Sequence, residues 1–96
     1  MRQPREFDAS VLSDRHTAYL LDLVAGGDEC ALARLYDRIA TRVYRHFHEA
    51  FADPARAATA THSIFVEIWS HAPRYRSSGS AATAWIAQLV RSRTVA

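Results

Sequence analysis

The chain holds 96 residues, 49% of them apolar and 23% charged, with 12 basic and 10 acidic side chains. That length allows one small domain and excludes a TIM barrel or a two-domain dehydrogenase, while the apolar content excludes wholesale disorder. No run approaches the ~20 apolar residues that cross a bilayer, and Arg2, Arg5, Glu6, Asp8, Asp14 and Arg15 leave the first residues without the apolar stretch of a signal peptide.

Residues 1–13 read as a polar lead-in and residues 14–96 as one helical domain. Ser13 or Asp14 caps a first helix reaching Ala25, with Tyr19, Leu20, Leu23 and Val24 on its apolar face. Gly26 and Gly27 end it, and Asp28 is placed to cap the next. The second helix, predicted over Glu29 to Ala52, carries Leu32, Tyr36, Ile39, Val43, Phe47 and Phe51 at steps of three and four, which makes one apolar stripe.

Asp53 and Pro54 restart the chain as cap and first helical residue. Ala57, Thr61, Ile64, Phe65 and Ile68 form the apolar face of this third helix, which is predicted to stop at Pro73. Arg74 to Ser80 then reads as a polar loop. Ser80 caps a last helix with Ala82, Trp85, Ile86, Leu89 and Val90 inward. No stretch alternates with the period of a strand. The expected fold is all-α, a compact bundle of three or four helices. The last helix carries no stop signal before Ala96, which suggests a piece of a longer chain.

No catalytic constellation can be assembled. The chain lacks a glycine-rich phosphate loop, a Cys-x-x-Cys pair and a nucleophile elbow. His46 and His48 point about 200° apart on one helix, and His62 and His71 are more than two turns apart, so neither pair holds one ion. The expectation is therefore no enzyme, no metal and no cofactor. Asp28 and Glu29 read as capping charges. Cys30 is expected to be a half-buried inert thiol. With no second cysteine there is no internal disulfide, which agrees with a reducing cytoplasm.

Charge is distributed unevenly. Residues 1–73 hold eight Arg and ten acids, whereas residues 74–96 hold four Arg and no acid. An acid-free basic segment suits a polyanion. A second basic feature is the row Arg34, Arg38, Arg42 and Arg45 on the long helix. It reads as an exposed face balanced by Asp37 and Glu49, or as an additional contact for DNA or an acidic partner.

Three stretches in order resemble one family. Leu20 to Asp28 (LLDLVAGGD), then Ala31, Leu35-Tyr36 and Arg42-Val43-Tyr44, resembles the opening of region 2 in sigma factors of the sigma-70 family, extracytoplasmic-function (ECF) group in particular. Asp53-Pro54 followed by Ile64 to Trp69 (IFVEIW) is similar to that group's second signature. Ala72 to Arg76 (APRYR), Gly79-Ser80, Ala84-Trp85-Ile86 and Leu89-Val90-Arg91 are similar to its third, a basic-aromatic loop before a Trp-containing helix. The all-arginine, alanine-rich composition goes with GC-rich bacterial coding sequence.

The resemblance implies a cytoplasmic domain that engages core RNA polymerase, recognises and melts the promoter −10 element, and is held by an anti-sigma factor. It implies a site for the non-template single strand at Arg74, Tyr75, Arg76, Ser77, Ser78, Gly79, Ser80, Trp85, Gln88, Arg91 and Ser92. Arginines supply phosphate contacts there, aromatic rings stack on bases, and the hydroxyl-rich loop lines a pocket for an extruded base. Trp85 also keeps step with Leu89, which reads as a core position.

The coiled coil of the polymerase's largest subunit is implied to bind at Thr59, His62, Ser63, Val66 and Glu67. The family's turn there typically reads Asp-Leu-Val-Gln-Glu, and Thr59 to Ser63 (TATHS) lacks its acids and its Gln, which implies weakened polymerase binding. Ser92 replaces an amide that often reads a base. The family's second, helix-turn-helix domain is expected beyond residue 96.

Overall fold

The computed structural model describes residues 14–94, which form four helices: α1 (Asp14–Ala25), α2 (Glu29–Phe51), α3 (Pro54–Ser78) and α4 (Ala82–Thr94). The described residues contain no strand, so the fold is all-α. The lead-in and the alternative cap Ser13 lie outside the described residues. α2 packs most heavily on α3, α1 fills the angle between them, and α4 lies across α1 and α3 while barely touching α2.

Local chemistry sets most helix ends. Asp28 Oδ1 accepts from the Ala31 amide at 3.0 Å, satisfying one of the free N–H groups that open α2. Asp53 Oδ1 does the same for Ala55 and Arg56 at the start of α3, where Pro54 needs no partner. α2 ends one residue earlier than expected. Ala52 takes the left-handed conformation, φ 54°, and its amide bonds back to the His48 carbonyl. At the start of α4 the expected cap shifts by one residue. The Trp85 amide bonds to the Ala81 carbonyl, which puts Ala81 rather than Ser80 in the cap position.

The core is one cluster drawn from all four helices, with Phe47, Leu20, Leu21, Leu35, Ile39, Ile64, Ile68 and Ile86 among its fully buried members. The predicted face of α3 is buried as expected. On α1 and α2 the faces are rotated slightly. α1 buries Thr17, Leu20, Leu21 and Val24 and leaves Tyr19 59% exposed. α2 begins its buried stripe with Ala31 and Leu35, leaving Leu32 half-buried and Tyr36 48% exposed. In both corrections the smaller aliphatic neighbour enters the core, and the tyrosine keeps its hydroxyl toward water.

The third helix does not stop at Pro73. It continues five residues to Ser78 and ends at Gly79, whose φ of 74° suits a residue without a Cβ. Pro73 lies on the exposed side, where losing an intrahelical hydrogen bond costs least. The extra turn is held from outside and inside. Tyr75 packs against Trp85, and the Ser77 and Ser78 hydroxyls donate to the Arg74 and Tyr75 carbonyls at 3.2 and 2.8 Å. No described helix is long and apolar enough to cross a membrane.

Candidate nucleic-acid interface

The predicted basic loop is thus the last turn of α3 and the short connection to α4. Arg74 is exposed and forms no ion pair among the described residues. Arg76 is engaged: its Nε donates to Asp22 Oδ1 and its Nη2 to the Asp22 carbonyl, both at 2.8 Å. Ser80 donates its amide to Ser78 Oγ at 3.1 Å. The Ser77 and Ser78 hydroxyl protons are spent on carbonyls within the turn. Ser77, Ser78, Gly79 and Ser80 all remain exposed.

Trp85 takes the core position of its two readings, at 8% exposure, with the half-buried Tyr75 ring 5.8 Å away and tilted by 60°. On α4, Gln88 and Arg91 face solvent, and Arg91 has no ion pair among the described residues. Ser92 Oγ donates to the Leu89 carbonyl. Arg93 is paired: its Nε donates to Glu67 Oε1 at 2.9 Å, and Nη2 reaches the same oxygen. The segment free of acids in sequence is not free of them in space. Asp22 and Glu67 neutralise two of its four arginines and leave Arg74 and Arg91 open.

The expected polymerase-contacting residues lie in the middle of α3 rather than in a turn, on the same helix as Arg74 to Ser78. Thr59, His62 and Val66 are exposed, and Ser63 and Glu67 are half-buried. His62 and Val66 edge a groove of about 580 Å³ between α2 and α3, floored by Leu32, Tyr36, Phe65 and Trp69. Tyr36 and Phe65 rings meet at 4.7 Å. Tyr36, Val66 and Trp69, at 48%, 51% and 39% exposure, make this the apolar patch of the α2–α3 surface. Sequence periodicity missed Tyr36 as a surface residue because it flanks the buried stripe. Thr59 and Ser63 border a separate hollow with Phe51 and Arg56, where the Arg56 guanidinium lies 4.3 Å from the Phe51 ring centre.

Arg34, Arg38, Arg42 and Arg45 are all exposed, and none pairs with Asp37 or Glu49. Cys30 is exposed, not half-buried, because the α2 core recurs at every fourth residue from Ala31 and leaves Cys30 on the outer side. The described residues contain no cluster of three His, Cys, Asp or Glu that could hold a metal. His46 is buried instead. Its Nε2 lies 3.0 Å from Thr94 Oγ1, whose own proton goes to the Val90 carbonyl, so the imidazole is the donor.

Over 76 residues, 79% of its length, the chain is 33% identical to the ECF RNA polymerase sigma factor SigK of Mycobacterium tuberculosis, and equally to that of Mycobacterium bovis. It is 34% identical over 76 residues to the ECF RNA polymerase sigma factor SigK of Mycobacterium sp. (strain KMS). These matches cover 41%, 41% and 39% of the respective proteins. The chain therefore spans about two fifths of the length of the curated relatives it matches. No family model matches it, and no solved structure does.

Proposed function

We propose that the chain, whose similarity to SigK supports a segment of an ECF sigma factor with a role in transcription initiation, is the region 2 domain that recognises and melts the promoter −10 element. The observation that carries this is the architecture of α3. One continuous helix bears the Thr59, His62 and Val66 face at its middle and the open Arg74 end, close to the α4 helix that presents Gln88 and Arg91.

In this reading the basic end neutralises phosphates of the non-template strand, and affinity is strongly salt-dependent. The face of α3 that carries Thr59, His62, Ser63, Val66 and Glu67 takes the coiled coil of the largest subunit of core RNA polymerase. The domain makes and breaks no covalent bond. Its work is to hold unpaired bases more tightly than paired ones.

A second reading, a module held mainly by an anti-sigma factor, draws support from the exposed Tyr36, Val66 and Trp69, since an apolar groove suits a partner helix. The two are separated by binding assays on the 96-residue chain. Low-salt titration against core RNA polymerase and against a single strand selected from a random −10 pool is expected to give saturable binding to both. Absence of binding to either would leave the regulator-binding reading in its place.

A further inference from the structure

Arg34, Arg38, Arg42 and Arg45 recur on α2 at steps of four, four and three. At roughly 100° and 1.5 Å per residue, they fall within about 80° around the helix axis and span about 16 Å. All four are exposed, and none forms an ion pair among the described residues. The groove between α2 and α3 draws Glu29, Leu32, Ala33, Tyr36 and Asp37 from α2 and none of these arginines. Tyr36 projects roughly 160° from the middle of the row, so the two surfaces lie on opposite sides of the helix.

The row is not compensated by its own helix. Asp37 lies three residues from Arg34 and Glu49 lies four from Arg45, spacings at which a carboxylate can reach a guanidinium, yet neither pairs. Like charges four residues apart repel, so the row is a cost to α2 that no ion pair among the described residues offsets. Elsewhere the fold does bring acids to arginines, as Asp22 meets Arg76 and Glu67 meets Arg93. Four open positive charges on one line fit a partner with negative charges on a matching line.

The geometry of the line selects among polyanions. Steps of four and three residues are about 6 and 4.5 Å along the axis. A second α-helix with carboxylates at those steps has the same rise, so every contact can be made in register along a near-aligned pair of helices. A nucleic-acid backbone winds around its own axis and departs from a straight row of this length. The guanidinium fork also matches a carboxylate through two parallel hydrogen bonds, which fixes orientation as well as charge. We infer that this outer face of α2 docks an acidic α-helix of a protein partner, whose Asp or Glu side chains recur at steps of four and three. The docking face uses neither Arg74 and Arg91 nor the apolar groove, and it stands independently of the DNA-binding reading.

The test titrates the 96-residue chain at low salt with a fluorescent, helix-forming Ala–Gln peptide carrying four Glu in one row at those steps. A second peptide of the same composition scatters the four Glu around its helix. The row peptide is expected to bind saturably and more tightly than the scattered one. Arg34→Gln, Arg38→Gln and Arg42→Gln combined, a change that keeps helix propensity, should weaken it about tenfold, a few-fold for each exposed pair lost. Arg38→Glu with Arg42→Glu should also lose the row peptide, and a peptide whose two middle Glu are exchanged for Arg should restore binding. Equal binding of the row and scattered peptides overturns the register, and no binding of either overturns the docking face. A loss in Arg74→Ala as large as in the triple Gln variant places the peptide on the basic end and overturns the proposal as well. Duplex DNA of random sequence is titrated in parallel. If the triple Gln variant loses affinity for the duplex while the wild type ignores the row peptide, the row belongs to nucleic acid instead. Circular dichroism of each variant checks that the exposed substitutions leave the helices intact.

Discussion

Asp22 of α1 and Arg76 of α3 are joined twice across 54 residues of sequence, through the Asp22 carboxylate and through its backbone carbonyl. Both side chains are at least half exposed, so the ion pair itself contributes no more than about 1 kcal/mol to stability. Its effect on charge is larger. Arg76 is held in place with its charge offset, as Arg93 is by Glu67, and the four arginines after residue 73 divide into two paired and two open.

That division is measurable through salt dependence. Arg74→Ala and Arg91→Ala should each flatten the slope of log affinity against log salt for a single strand by roughly 0.7, the value for one phosphate contact. Arg76→Ala and Arg93→Ala should change the slope less, since each removes a charge already offset by a carboxylate. Fluorescence anisotropy at four or more salt concentrations decides it. Equal slopes in all four variants would mean that the pairs open when DNA binds.

Burial holds the His46 imidazole below its ordinary value of 6.5, with the Glu49 carboxylate pulling weakly the other way. A histidine with a lowered folded-state value binds fewer protons folded than unfolded, so stability rises with pH across that window. The contribution is fully present above 6.5 and is lost as pH falls through 6.5 toward the folded value. His46→Gln keeps a hydrogen-bonding group for Thr94 and cannot titrate. Urea unfolding of both proteins between about pH 5 and 8 should show a shallower acid-side decline in the variant, and parallel curves would refute the assignment.

Thr17 is fully buried in the α1 face, and its Oγ1 has no hydrogen-bond partner among the described residues. A buried hydroxyl left without a partner costs about 1–3 kcal/mol, so Thr17→Val, of nearly the same shape, should raise stability by about 1 kcal/mol. The denaturant midpoint reads this directly. A lower midpoint would show that the hydroxyl is satisfied after all.

Polymerase binding should respond to charge on the middle of α3. Thr59 and His62 are exposed where the resembling family carries an acid and Gln, and Thr59→Asp with His62→Gln should tighten binding to core RNA polymerase. DNA binding should be nearly unchanged, because residue 59 lies about 22 Å along the helix from residue 74, at 1.5 Å per residue, beyond the ~10 Å over which exposed charges act at 0.1 M salt. No gain in polymerase affinity would move the interface to the Tyr36, Val66 and Trp69 groove alone.

What the sequence determined by itself was decided by near neighbours in the chain. Asp28, Asp53 and Pro54 announce the starts of α2 and α3 because capping acts over two or three residues. Ile39, Val43 and Phe47, with Ala57, Thr61, Ile64, Phe65 and Ile68, declare their buried faces through helical spacing. The family resemblance rests on the same short stretches. Tertiary structure decided whatever depends on groups far apart in sequence. Pro73 reads locally as a stop, yet α3 passes it, because the turn beyond gains Trp85 against Tyr75 and Asp22 against Arg76. Residues 74–96 read locally as free of acids, yet Asp22 and Glu67 arrive from other helices. Tyr19 and Tyr36 fit an apolar stripe by spacing alone. Which side of a stripe faces the core is set by the volume left between packed helices, and there Leu21 and Leu35 fit while the phenol rings stay at the water boundary.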